Sequence, residues 1–228
     1  MRKIKKVAIT MRTVETKEYV ELRDALSHDW VVYLESCDYM PLLIPSRLKD
    51  VETYVKELGC EALILGNGEN VELKKNSSGK WAGSARDITE AKLLDWAIAN
   101  KKPVLGVCRG MQLINCYFGG KLEGEIDGHV TKSHTVTITM DYFKEFYGSD
   151  KLEVNSYHRC AVKENHLGAG LLAWAVKDDI IEGFIHETHP ILGIEWHPER
   201  QKPMSEHDRL LIEKFFNSDL RIADSIKK

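Results

Sequence analysis

With 32 lysines and arginines scattered against 35 aspartates and glutamates in 228 residues, the chain is sized for one large domain, residues 1–228, and shows no basic surface suited to nucleic acid. Five cysteines, none in a C-x-x-C arrangement, argue against a disulfide framework or structural zinc and for a reducing compartment. The basic MRKIKK start leads into Val7-Ala8-Ile9, too short for a signal peptide, and no apolar run approaches membrane-spanning length, so a cytoplasmic protein without a membrane partner is expected.

In chain order, Ile4 to Thr10 predicts a buried strand and Tyr19 to Leu26 a helix. Trp30 to Leu34 and Leu42 to Ile44 read as short extended segments, with Pro41 and Pro45 breaking any helix that might join them. Val51, Val55 and Leu58 mark a helix ended by Gly59, and Ala62 to Leu65 a strand running into Gly66-Asn67-Gly68, where backbone N–H groups can face a ligand. Glu69 to Arg86 is a polar surface loop, longer than a connection needs, with Trp81 as its one large apolar anchor. Asp87-Ile88-Thr89-Glu90 resembles a capping box opening a helix through Ala91, Leu94 and Ile98.

The next stretch, PVLGVCRGMQLINCYFGG from Pro103 to Gly120, turns from strand to helix at Cys108. Gly106-Val107-Cys108-Arg109-Gly110 is the thiol counterpart of a G-x-S-x-G nucleophile elbow, and a cysteine at a helix N-terminus is expected to favour the thiolate. Cys37, Cys60 and Cys116 lack that setting and are expected to fill the core. After Gly120 strands follow one another without helices, at Thr135 to Met140, Leu152 to Val154, Leu171 to Val176, Ile180 to Ile185 and Ile191 to Glu195, with a hairpin at Asp178-Asp179. Ser205 to Asp208 caps a last helix whose Leu210, Leu211 and Phe215 seek the core, and Lys227-Lys228 is expected to fray. The fold class expected is α/β: a mostly parallel open sheet flanked by helices, flavodoxin-like, with a nucleophile elbow and added antiparallel strands. Its ligands bind at the carboxyl ends of the strands.

Trp196-His197-Pro198-Glu199 places a histidine just past a buried strand and a carboxylate two residues on, so that Glu199 can hold one imidazole nitrogen while the other faces a nucleophile. H-x-E alone is common, but beside G-x-C-x-G it supplies the base and orienter of a Cys-His-Glu triad. His158, His186 and His189 have no neighbours that complete a metal ligand set.

These motifs, with Gly66-Asn67-Gly68, Gly119-Gly120 and Val154-Asn155-Ser156-Tyr157-His158, resemble the class I glutamine amidotransferases, and C-R-G-M-Q with N-S-Y-H resembles their free-standing γ-glutamyl hydrolase branch. The resemblance covers nearly the whole chain. It implies Cys108 as nucleophile, His197 as base and then acid, Glu199 as orienter, and the amides of Gly68 and Arg109 as an oxyanion hole. It further implies that Gln112, Asn155 and Ser156 hold the glutamyl amino and carboxylate groups, with Tyr157 and His158 completing the substrate contacts. The implied partner is a small γ-glutamyl compound, cleaved through a glutamyl thioester with no metal or organic cofactor. Two other classes stay open: the glutaminase half of a synthetase whose acceptor site is on a separate chain, and a non-catalytic binding module. Relatives commonly read N-S-x-H-H-Q, whereas here Arg159-Cys160 follows His158, and Lys74, Lys75 and Lys80 lie in the loop after Gly68. Converging on a pocket mouth, such cations would favour an anionic leaving portion, for example a nucleotide phosphoramidate. No stripe of residues points to a particular oligomeric interface.

Overall fold

The first apolar run folds as β1 (Lys5–Thr10), with Val7, Ala8 and Ile9 fully buried, in a computed structural model that describes residues 4–126 and 130–218. A hairpin, β2 (Arg12–Glu15) and β3 (Leu22–Ala25), stands in place of the helix expected over Tyr19 to Leu26. Tyr19, Val20 and Leu22 are all exposed, so a helix there would have no apolar face to bury, and the ladder from Arg12↔Ala25 to Glu15↔Leu22 satisfies the backbone instead. The segment at Trp30 to Leu34 is not extended but lies in α1 (His28–Ser36), capped by the Ser27 side chain on the Asp29 amide. Trp30, Tyr33 and Leu34 are buried at i, i+3 and i+4 while Val32 faces solvent, so burial at helical period overrides the strand preference of two consecutive valines.

β4 (Tyr39–Ile44) accommodates Pro41 because it is an edge strand, and α2 (Val51–Glu57) is capped by Asp50. β5 (Ala62–Leu65) is fully buried. Within the polar loop a small hairpin, β6 (Lys74–Lys75) and β7 (Trp81–Ala82), is anchored by Trp81 stacked on Tyr117 at 4.9 Å. The capping box lies one turn earlier than expected: Ser84 caps α3 (Ala85–Ala99) and Asp87 is its reciprocal partner. β8 (Val104–Val107) leads into α4 (Arg109–Tyr117).

β9 (Val130–Ile138) is followed by α5 (Asp141–Tyr147), a helix that interrupts the expected run of strands. Its Phe143 stacks on the buried Trp174 at 4.1 Å, a distant partner that local periodicity does not reveal. β10 (Lys151–Tyr157), β11 (Val162–Lys163), β12 (Leu171–Lys177), β13 (Ile180–His186) and β14 (Ile191–Ile194) follow, with the turn between β12 and β13 made at Asp178, φ 54°. In α6 (Glu206–Phe216), capped by Ser205, Leu211 and Phe215 are buried but Leu210 is 38% exposed, on the opposite side of the helix from its expected place. Cys60 is buried; Cys37 and Cys116 are half-buried and pack against the core from outside. Lys227-Lys228 lies outside the described residues.

The main sheet runs β10-β9-β12-β13-β14-β8-β5-β1-β4, with β11 paired to β13. From β4 to β14 the pairs are parallel, and from β14 outward they are antiparallel. Val7, Ile9, Ile64, Leu105, Val107 and Ile194 pack on one face with side chains of α1, α5 and α6. Ala8, Leu63, Leu65 and Val104 pack on the other with α2, α3 and α4. Each large aliphatic side chain so buried contributes about 1.5–3 kcal/mol. The strand carboxyl ends converge where the parallel sheet meets its antiparallel extension, and the loops there build the candidate site.

Candidate active site

Cys108 sits at φ 52°, ψ −110°, a region that L residues avoid and that only the surrounding packing can impose. Both neighbouring glycines are required by close approach. A Cβ on Gly110 would lie 2.6 Å from the carbonyl carbon of Leu65, and one on Gly106 would lie 2.7 Å from the amide of Met111. The Cys108 amide donates to Ile194 O at 2.8 Å, which ties the elbow to β14. The Arg109 side chain turns away from the opening into a buried ion network, pairing with Asp87 at 2.5 Å and with Glu90. Arg86 shares Glu90 at 2.8 Å and also donates to Gly66 O at 2.8 Å and Glu69 at 2.9 Å. Burial pushes the Glu90 carboxyl up, but Arg109 and Arg86 together hold it below the ordinary carboxylate range. The acids of α3 thus fix the start of α4 and the Gly66–Glu69 turn in one network, and removing one member would cost about 3–5 kcal/mol.

His197 and Glu199 leave the neighbouring strand. Ile194 of β14 is in register with Val107 of β8, so the segment carrying His197 emerges beside the elbow. His197 Nδ1 lies 2.8 Å from Glu199 Oε1, and its buried Nε2 has no hydrogen-bond partner among the described residues. Asn155 clamps the His197 backbone from both sides: its Oδ1 accepts from the His197 amide at 2.9 Å and its Nδ2 donates to the carbonyl at 2.8 Å. Tyr157 meets the imidazole edge-on at 5.5 Å and is itself covered by Arg200 at 4.6 Å. Burial lowers the His197 pKa in spite of Glu199. Burial likewise pushes the Cys108 thiol well up, Glu195 and Glu199 adding to it, while the Arg109 amide and the Arg200 charge oppose. Both shifts act toward the neutral thiol and the neutral imidazole. The thiolate expected from the helix N-terminus is thus opposed by desolvation and by two carboxylates.

A cavity of about 170 Å³ opens over Cys108, lined by the predicted Gly68, Arg109, Gln112, Tyr157 and His158 together with Glu69, Asn70, Arg159 and Cys160. Asn155 and Ser156 are not brought to it. Asn155 spends its amide on His197, and Ser156, next along the strand, faces the opposite side and is fully buried. Of the cations flagged in the sequence, Arg159 lines the cavity but Lys74, Lys75 and Lys80 do not; Lys75 lies over Trp81 at 4.6 Å, in the hairpin braced at the far end of α4.

Beneath the cavity lies a polar cluster that the motifs do not announce. Gln112 Nε2 donates to Glu195 Oε1 at 2.6 Å and to Cys160 O at 3.0 Å. His158 Nδ1 donates to the same carbonyl at 2.9 Å and lies 3.5 Å from Glu195, while its Nε2 lies 3.4 Å from Glu182, which His134 approaches at 3.2 Å. Burial works against a charge on His158, but Glu195 and Glu182 raise its pKa to about 9; burial raises Glu195 to about 7. In the sequence Glu195 is legible only as the last residue of a strand. Its place directly before Trp196-His197 is the one available signal. Among the described residues no group of three or more His, Cys, Asp or Glu side chains is arranged to hold a metal ion.

Residues 6–199 match the family model described as Peptidase C26. The chain belongs to the peptidase C26 family, of the class I glutamine amidotransferase type. Among its relatives, it is 30% identical to the gamma-glutamyl-CDP-amidate hydrolase of Campylobacter jejuni, over 87% of this chain and 92% of that one. It is also 30% identical to one component of the glutamine-hydrolyzing GMP synthase of Methanocaldococcus jannaschii, over 64% of this chain and 78% of that one. The glutaminase domain of Trypanosoma brucei CTPS, solved with bound acivicin, superposes with a TM-score of 0.69 at 14% identity, covering 94% of each chain. A Thermotoga maritima glutamine amidotransferase gives 0.61 at 14% identity, covering 99% of this chain and 90% of that one. At such identities these structures bear on the fold alone: the C26 chain has the open α/β sheet of glutamine amidotransferases.

Proposed function

We propose that the protein hydrolyses the γ-glutamyl amide bond of a small metabolite, with Cys108 as nucleophile, His197 as proton carrier and Glu199 as its orienter. The observation that carries this reading is the state of His197: one ring nitrogen is held by Glu199 at 2.8 Å, and the other is buried, without a partner among the described residues, on the segment that emerges beside the strained Cys108. With burial favouring the neutral form of both groups, the proton passes from Sγ to His197 Nε2 as sulfur attacks the γ-carbonyl carbon. The amides of Gly68 and Arg109 receive the developing oxyanion, each such donor being worth about 3–4 kcal/mol. His197 then gives its proton to the leaving nitrogen, the C–N bond breaks, and a glutamyl thioester remains. Water, deprotonated by the same imidazole, cleaves the thioester to glutamate and restores the thiol.

Substrate binding follows from the cluster beneath the cavity. Both hydrogens of the Gln112 amide are spent on Glu195 and Cys160 O, so Gln112 offers a ligand only its carbonyl oxygen, an acceptor for the glutamyl ammonium group. Asn155 acts as a positioning residue through the His197 backbone. Tyr157 shields the imidazole, and His158 supports the Gln112 floor through Cys160 O.

For the leaving group, the leading candidate is γ-glutamyl-CDP-amidate, a substrate of capsular phosphoramidate synthesis. It is supported by the extent of the match to the Campylobacter jejuni hydrolase and by Arg159 at the cavity. γ-Glutamyl-γ-aminobutyrate is the alternative. The relation to a GMP synthase component favours one second reading, a glutaminase that passes ammonia to a partner. A panel of glutamine and γ-glutamyl amides with neutral, carboxylate and nucleotide-phosphate leaving groups, repeated with Cys108→Ala and Arg159→Ala, tests all of this. Hydrolysis is expected for γ-glutamyl amides but not simple acyl amides, lost in Cys108→Ala, with the nucleotide compound preferred. Glutaminase activity that stays low alone and rises with a partner would favour the second reading.

A further inference from the structure

The cavity over Cys108 is small. Its volume of about 170 Å³ is below the roughly 300 Å³ at which ligand pockets for drug-sized molecules begin, enough for an amino-acid head and little else. A second cavity of about 370 Å³ lies next to it at the same carboxyl edge, and Glu69 lines both. Its walls come from the β2–β3 hairpin, the turn after β4 and the start of α3. Leu22, Pro45 and Leu48 give it an apolar body, and Arg23 and Arg47 give it cations.

Its charges are not equally available. Glu69 is paired with Arg86, and both carboxylate oxygens of Asp24 accept from Ser46, one from the amide at 3.0 Å and one from the hydroxyl. Arg23 is held by Glu21 at 2.6 Å and by the Tyr19 hydroxyl at 2.8 Å. Arg47 makes no ion pair with any described residue, and neither does Arg12, whose Cβ lies close to Gly68. An unspent guanidinium on an apolar wall recognises a carboxylate or phosphate carried on an apolar or aromatic body.

We infer that this second cavity is the subsite for the leaving amine, and that Arg47 makes it select amines bearing a carboxylate or phosphate on an apolar body. The inference rests on the hydrolase reading above. It assigns a place and a chemistry to the part of the substrate that the Cys108 cavity cannot hold.

The test compares γ-glutamyl-4-nitroanilide with its 3-carboxy counterpart and with γ-glutamyl-4-aminophenyl phosphate, glutamine serving as the reference, in the wild type, Arg47→Met and Leu48→Trp. The wild type is expected to favour at least one anionic arylamide over the neutral one by about 10- to 100-fold in kcat/KM, the scale of one charged hydrogen-bonded contact, and the better of the two identifies the anion. Arg47→Met should bring that ratio close to unity. Leu48→Trp should lower all three arylamides relative to glutamine. Glutamine turnover with equal rates on charged and neutral arylamides, or a ratio unmoved by Arg47→Met, would overturn this inference alone. No turnover of any compound, glutamine included, would overturn the hydrolase reading and this inference with it.

Discussion

The two strand ends that form the site are held by different physics. On the β8 side, the elbow is set by volume, Gly106 and Gly110 leaving no room for a single added carbon between β5 and α4, and the Arg109 network with Asp87 and Glu90 anchors the helix behind it. On the β14 side, position is set by polarity: Asn155 grips the His197 backbone, Glu199 its ring, and Glu195, His158 and Glu182 form a buried titratable cluster beside it. The nucleophile arm should therefore be sensitive to size, with acid reaching it only through the Glu90–Arg109 network. The base arm should respond chiefly to polarity and pH.

The largest expected effect is common to both arms. Cys108→Ala and His197→Ala should each lower kcat by at least about 10⁴-fold, while Glu199→Gln, which keeps the proton carrier, should be roughly one to two orders of magnitude less damaging than His197→Ala. Steady-state kinetics on glutamine or a γ-glutamyl amide check the order, and a reversal would mean that the roles of His197 and Glu199 are exchanged.

The contrast itself is probed by Gly110→Ala against Asn155→Ala. The first should cost about 1–3 kcal/mol or more of stability by overpacking, read as a fall in denaturation midpoint. The second removes two hydrogen bonds of about 1 kcal/mol each from one partly buried amide, and should depress kcat more than KM with a smaller change in midpoint.

The pH dependence has a definite sign. His158 is raised from 6.5 to about 9 in the folded protein, so its contribution is complete below 6.5 and is lost as pH rises through about 9. Glu195 is raised from 4.5 to about 7, so the folded state favours its neutral form, and that contribution too is lost as pH rises, between 4.5 and 7. His197 runs the other way: its folded pKa is lowered, so it destabilises the fold as pH falls below 6.5. Thermal midpoints should fall from pH 6.5 to 9, and Glu195→Gln should flatten that slope by removing a partner that holds the proton on His158. The smallest effect belongs to α6, where Leu210→Lys should change stability by no more than about 0.5 kcal/mol while the adjacent Leu211→Ala costs about 2–5 kcal/mol.

What is legible in the sequence follows the same division. The β8 elbow can be read because glycine at both flanks of a cysteine is a local statement of crowding, and the strand at Ala62 to Leu65 because an unbroken apolar run has few other fates. The valines of α1 mislead, although Trp30, Tyr33 and Leu34 carry helical spacing after a capping Ser27. The β2–β3 hairpin and α5 depend on partners outside the local periodicity, a cross-strand ladder in one case and Trp174 in the other. At the site, H-x-E announces His197 and Glu199. The supporting roles of Asn155, Glu195 and Glu182 arise from three different strands or their ends, and no spacing encodes them.

β14 is among the last strands of the chain, yet it sits in the middle of the sheet, between β13 and β8. Until Ile191 to Ile194 are inserted, β8 has an open edge, the Cys108 amide lacks its Ile194 acceptor, and His197 has no place beside the thiol. A chain grown or cut short of β14 would thus hold the cysteine elbow without the histidine proposed as its base. On the proposed roles, closing the sheet with β14 is the step that arms the thiol.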